Sequence, residues 1–299
     1  MGIHSVEKKQ LSAKGMLSKI RSIFNKIPEP FKDTRGLKAE ISLTDCFMSA
    51  LAIFGLKYSS LLQFDESRGT EIVKHNLKNL YLVKNIPCDT YMRERLDKID
   101  PKFIRPAFTS IFSLLQRGKI LENYRFLGKY LLVSCDGTGM FSSHAVHCKN
   151  CCEKHHKDGR ITYYHQMLGA VVVHPDQKEV FPLCPEPISK LDGSSKNDCE
   201  QNAMKRFLSD FQREHPHLKV IFIEDALSAK GPYLQKINEI GGHFIVNVNP
   251  TGNPSLFAWL KGVDLGKKTI KTKNETMELK FYNGIALNDS SDREVNFID

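Results

Sequence analysis

Two stretches decide how this chain is read: Tyr130-Leu131-Leu132-Val133-Ser134-Cys135-Asp136 and Lys219-Val220-Ile221-Phe222-Ile223-Glu224-Asp225. Each is a short apolar run of strand-forming residues that ends on an acid, too short for a helix and predicted to be a buried strand. Two further strand-like runs lie between them, Ile161 to His174 with Gly169 near its middle, and the shorter Glu179 to Leu183. Asn197 to Glu214 has helical periodicity, with Ala203, Phe207, Leu208 and Phe211 on one face. Pro232 to Ile240 predicts another helix, closed by Gly241 and Gly242, and His243 to Val248 a last strand.

The order is therefore three strands, helix, strand, helix, strand. A hairpin meander followed by parallel strands with crossover helices predicts an α/β fold, an RNase H-like mixed sheet. Upstream, residues 42–127 carry only helical signals: Ser42 or Thr44 as the cap of a helix to about Phe54, then Thr70 to Leu82, Tyr91 to Ile99 and Phe108 to Leu115. Residues 1–40 are basic and polar. Lys14, Lys19, Arg21 and Lys26 alternate with Leu17, Ile20 and Phe24, and Pro28, Pro30 and Gly36 follow. This reads either as a basic amphipathic helix on a loosely held arm or as a solvated helix face. From Trp259 onward the chain turns strand-like and polar, with antiparallel strands expected at Thr269 to Thr272, Met277 to Tyr282 and Val295 to Ile298. The expected domains are a basic arm (1–40), a small all-helical domain (41–128), an RNase H-like core (129–255) and a partial β-rich insertion (256–299).

The chain has 299 residues, 41% hydrophobic and 26% charged, with a formal net charge of +9. That composition supports a packed core and argues against global disorder, and the basic excess favours polyanionic partners such as nucleic acid. No apolar run reaches the roughly 20 residues a membrane span needs, and the N-terminus is polar, so the expectation is a cytoplasmic protein with no membrane partner. The eight cysteines then read as thiols or metal ligands rather than disulfides.

Asp136 and Asp225 each follow an apolar strand, where active sites form in open α/β sheets. If the strands are neighbours, two carboxylates converge at one edge. Hard oxygen ligands suit Mg²⁺ or Mn²⁺, and paired ions can drive phosphodiester cleavage. An aspartate after a strand is also a common turn or cap residue. Gly137 and Gly139 permit close approach of the backbone beside Asp136.

Here a resemblance enters. Ser134-Cys135-Asp136-Gly137-Thr138-Gly139 resembles the first-aspartate strand of bacterial insertion-sequence DDE transposases, in the cut-and-paste group with a β-rich insertion between the second Asp and the final Glu. Tyr164-His165-Gln166-Met167-Leu168 is similar to that group's second strand. Asn197-Asp198-Cys199-Glu200, with Ala203, Lys205 and Arg206, is similar to its next helix, and Glu224-Asp225-Ala226-Leu227 to its second-aspartate motif. Ile86-Pro87-Cys88-Asp89, with Arg93, Arg95 and Leu96, looks like its N-terminal helical region. The resemblance covers roughly residues 40–250. It implies metal-dependent strand cleavage and strand transfer, with Asp136 and Asp225 as catalytic metal ligands. It also implies duplex DNA as partner (insertion-sequence ends and target DNA), a homodimer on DNA and a nucleoid-associated location. Lys205, Arg206, Lys19 and Arg21 are its candidate phosphate contacts. The group's third carboxylate sits in a Tyr, Arg, Glu, Lys helix signature that does not follow Asp225 here, and Glu239, Glu275, Glu278 and Glu294 do not fit it. The chain therefore reads as truncated before the final Glu. The alternatives are a catalytically inactive DNA-binding remnant and a zinc-containing nucleic-acid binding protein.

His144, His147, Cys148, Cys151, Cys152, His155 and His156 crowd the segment between the first two long strands. Cys148-x-x-Cys151 has zinc-knuckle spacing, and a site needs more ligands, for which His144, His155 and His165 are candidates. The segment also reads as a basic loop near DNA or as a plain hairpin loop. Asp198 reads as a helix cap and Glu200 as a first-turn acid favoured by the helix dipole, or as DNA-facing or supporting groups. Cys135 reads as a core residue rather than a nucleophile, and Trp259 as a packing residue or a stacking platform for a base.

Overall fold

The computed structural model describes residues 10–28, 41–190, 197–271, 275–288 and 294–299. The expectations placed on Pro30, Gly36 and Thr272 lie outside them. The chain divides into two compact units, Met1–Asn123 and Tyr124–Asp299.

The described part of the first unit is helical: α1 (Ala13–Phe24), α2 (Leu43–Gly55), α3 (Leu61–Ser67), α4 (Glu71–Asn79), α5 (Asp89–Leu96) and α6 (Arg105–Arg117). Serine hydroxyls cap three of them: Ser12, Ser42 and Ser60 accept the N–H groups of Gly15, Asp45 and Gln63. Two helices differ from the sequence expectation. α3 was not foreseen, and α4 stops at Asn79 because the chain turns sharply there, with Leu82 in the left-handed region (φ 59°). Within the N-terminal basic segment, the described residues form the helix α1, which packs rather than standing as a loose arm. Phe24 is buried and stacks on Phe47 with ring centroids 4.7 Å apart. Arg21 donates to Asp45 at 3.0 Å, and the same buried carboxylate accepts the N–H groups of Lys84 and Asn85.

The second unit is built on a mixed sheet. Its strands are β1 (Arg125–Phe126), β2 (Tyr130–Ser143), β3 (Cys152–His155), β4 (Ile161–Val173), β5 (Phe181–Pro182), β6 (Glu186–Ile188), β7 (Val220–Glu224) and β8 (His243–Val246). The spatial order is β3-β4-β2-β7-β8, with β1 beside β2 and with β5 and β6 beside β4. β4 runs antiparallel to β2 and β3, whereas β7 lies parallel to β2, and β8 parallel to β7. Helix α7 (Glu200–Glu214) precedes β7 and helix α8 (Gly231–Glu239) joins β7 to β8. The core lies where α7 meets the sheet: Phe222 is fully buried, with Phe207 and Phe211 edge-on to its ring at 6.5 and 5.5 Å.

Helix α9 (Pro254–Leu260) follows, then β9 (Gly266–Lys271), β10 (Thr276–Ala286) and β11 (Glu294–Ile298), which form a separate antiparallel sheet in the order β11-β10-β9. A bulge in β10 between Tyr282 and Ile285 is accommodated by Gly284 at φ 71°, a conformation that suits glycine. Trp259 therefore lies in a helix, where strand-like text was expected. A seven-residue helix with proline in its first turn is too short to show a period.

Candidate active site

Register brings the two aspartates together. β2 and β7 pair in parallel from Leu131↔Val220 to Ser134↔Ile223. Continuing that register two residues sets Asp136 level with Asp225, the residue that follows β7. Asp136 is not at the end of its strand as the sequence suggested. β2 runs on to Ser143 because β4 continues to pair with it, Asp136 facing Gly169. What ends beside Asp136 is β7, and the gap it leaves is the mouth of the site. Asp225 turns out of β7 and caps the short 3₁₀ turn Ala226–Ser228, accepting the N–H of Leu227 at 2.9 Å. Asp136 accepts the N–H of Gly137 at 2.8 Å.

A third carboxylate joins them from the first residue of α7. Asp136, Glu200 and Asp225 line one cleft of ≈ 490 Å³, with Tyr164, Gln166 and Lys230 also in its wall. Burial raises the Glu200 carboxyl above its ordinary range, and the charges of Asp136 and Asp225 raise it further. Like charges gathered in this way repel, and a cation among them removes the cost. Asp136, Glu200 and Asp225 do not form a group whose ligand atoms all lie within 4.8 Å of one another.

The sequence offered Glu200 as a helix-dipole partner or as a DNA-facing or supporting group, not as a member of the carboxylate cluster. Its approach shows at Gly137: a Cβ there would meet Glu200 Oε1 at 2.0 Å and its Cδ at 2.4 Å. Glycine at 137 makes room for the carboxylate, whereas Gly139 has nothing within 4 Å of its missing Cβ. Gly137→Ala is therefore expected to swing Glu200 out of the cleft. Thermal denaturation should move by no more than about 1 kcal/mol, while Mn²⁺ affinity falls about 10–100-fold, the range for losing a group that supports a metal site.

The remaining acids and cations are otherwise engaged or lie elsewhere. Arg206, read as a phosphate contact, donates to Asp198 and Glu186, each at 2.7 Å, and to the Pro187 carbonyl. Arg21 is likewise held by Asp45. Lys205 and Lys19 are exposed. Asp198 is tied to Arg206, and Cys199 holds the N-cap position of α7 instead. Glu239 ends α8, and Glu275, Glu278 and Glu294 lie in or beside the second sheet; none lines the cleft. Behind the site, Glu224 is buried and accepts the hydroxyl of Tyr233. Burial raises its carboxyl, and burial together with Glu224 raises the Cys135 thiol well above its ordinary range. A buried thiol so disposed is no nucleophile.

In the Cys/His segment, Cys148 and Cys151 converge with His165 of β4. His144 and His155 do not join them: His144 contacts the Ile161 carbonyl and His155 contacts Glu153. Among the described residues, no helix is long and apolar enough to cross a membrane.

No protein-family model matches the chain, and no curated protein matches it. Among solved structures, a cryo-EM structure of the piggyBac transposase synaptic complex with hairpin DNA is similar over 94% of this chain and 57% of that one, at 12% identity and a TM-score of 0.39. The chain thus spans little more than half the length of that protein. Nothing about function follows from a likeness of that size.

Proposed function

We propose that this chain is a metal-dependent DNA strand-cleaving protein of the DDE transposase type, with Asp136 and Asp225 as its metal-binding aspartates and Glu200, which precedes Asp225 and so is not that group's final Glu, as a further carboxylate in the cleft. The observation that carries the reading is their convergence: two acids made level by the β2–β7 register and a third from the start of α7, in one cleft. The order of motifs along the sequence supports the same reading, and a mixed sheet with β4 antiparallel and β7 parallel to β2 is compatible with it.

Carboxylate oxygens are the hard donors that Mg²⁺ and Mn²⁺ prefer. When bound, such ions activate a water and stabilise the leaving oxygen of a phosphodiester. The chain's own part is to hold and orient. Asp136 is fixed by the Gly137 N–H and Asp225 by the Leu227 N–H, so both present carboxylates in set directions. Lys230, exposed in the wall of the cleft, is placed to meet a phosphate. Lys205 on this unit and Lys19 on the helical unit are exposed and free to take phosphate contacts of their own, while Arg21 and Arg206 hold the scaffold. The partners are duplex DNA, namely element ends and target, and a second copy of the chain to hold paired ends.

The test is cleavage of plasmid DNA that carries the gene's own flanking sequence. Mg²⁺- or Mn²⁺-dependent nicking by the full chain supports the reading. Salt-sensitive DNA binding with no cleavage under either metal favours the DNA-binding remnant instead.

A further inference from the structure

The second cluster of ligating side chains lies outside the carboxylate cleft. The loop between β2 and β3 folds back so that Cys148 Sγ and Cys151 Sγ are 3.8 Å apart, and 3.3 and 3.2 Å from His165 Nε2. A tetrahedral Zn²⁺ with ordinary bond lengths sets two sulfurs about 3.8 Å apart and each about 3.5 Å from a ligating nitrogen. Ordinary hydrogen bonding accounts less well for the arrangement, because one imidazole nitrogen has a single proton or a single lone pair and makes only one full-strength two-centre bond.

The backbone is arranged to match. The N–H of Cys148 points at Cys151 Sγ (3.3 Å) and that of Asn150 at Cys148 Sγ (3.4 Å), while the N–H of Cys151 closes the turn on the Cys148 carbonyl (3.2 Å). Two backbone N–H groups are thus aimed at the two sulfurs, the kind of outer contact that orients a metal ligand. The neighbouring histidines are turned to other work: His147 stacks on Tyr163 at 4.2 Å and His156 pairs with Thr162 at 2.8 Å. No fourth His, Cys or carboxylate atom among the described residues joins the three within 4.8 Å.

We propose that Cys148, Cys151 and His165 bind one Zn²⁺, with water in the fourth position on the side where Cys148 is exposed. Thiolate and imidazole donors select zinc over Mg²⁺, so the chain carries a soft site beside a hard one. The zinc therefore pins the Cys/His loop to β4, the strand that also contributes Tyr164 and Gln166 to the carboxylate cleft. This inference does not depend on what the carboxylates do.

Elemental analysis of the full, tag-free chain purified without chelator is expected to find one zinc per chain. Cys199→Ser, at an exposed cysteine outside the cluster, should keep it, and the Cys148→Ser/Cys151→Ser double variant should lose it. Should the double variant fail to fold, Co²⁺ loading of the metal-stripped wild-type chain gives the answer. A sulfur-to-cobalt charge-transfer band of two-thiolate intensity, with tetrahedral visible bands, is the predicted spectrum. Zinc retained by a folded double variant, or neither zinc nor a cobalt–thiolate band in the wild type, overturns the proposal.

Discussion

Asp136→Asn should lower metal-dependent strand cleavage by more than about 100-fold, since losing an outer partner of a metal site already costs about 10–100-fold. The substitution keeps the side chain's volume and the oxygen that accepts the Gly137 N–H, and it removes only the charge. Stability should hold or rise, because the charge of Asp136 opposes ionisation of Glu200 and is repelled by it. DNA binding should persist, since an anion has been taken from a surface that faces phosphates. The signature is lost cleavage with unchanged binding and unchanged or higher thermal stability. Cleavage surviving in Asp136→Asn would remove this residue from the site.

Phe222→Ala is expected to have the largest effect on folding. Its ring is fully buried in β7 and meets Phe207 and Phe211 of α7. Truncating such a ring costs about 3–5 kcal/mol in lost transfer energy and residual cavity. For a unit of this size, each kcal/mol lowers the melting temperature by about 2–4 °C, so a fall of order 10 °C is expected in a thermal melt. The same substitution loosens the site, because β7 leads into Asp225 and α7 begins at Glu200. Ile245→Ala on the edge strand β8, where the side chain is exposed, is the matched control and should stay within about 0.5 kcal/mol. Equal losses at the two positions would contradict the placement of the core.

These two positions also show how far the sequence could be read. The apolar runs at 130–135 and 219–223 announced their strands, because burial on both faces leaves little else that such runs can be. Their acidic ends marked Asp136 and Asp225. The extension of β2 through Gly137 to Ser143 was not legible: those residues are mostly exposed and rich in glycine, and pairing with β4 holds them rather than their own propensity. β3 was missed for the same reason, as four residues organised by the neighbouring strand. The roles of Arg21 and Arg206 depend on partners distant in sequence, Asp45 and Glu186, so their charge read as available when the fold had already paired it. Glu200 was visible as an acid in a first helical turn, but its approach to Asp136 and Asp225 is a tertiary fact. His165 was one of three histidines open as a partner for Cys148 and Cys151, and only the register of β4 selects it.

The most direct test of the central claim is Mn²⁺ binding to the full chain, followed by electron paramagnetic resonance. The account predicts that the wild type captures Mn²⁺ and that an Asp136→Asn/Asp225→Asn variant, folded and with Cys148, Cys151 and His165 intact, leaves it free in solution. Equal capture by both proteins, or none by the wild type, would contradict a metal centre built on these carboxylates.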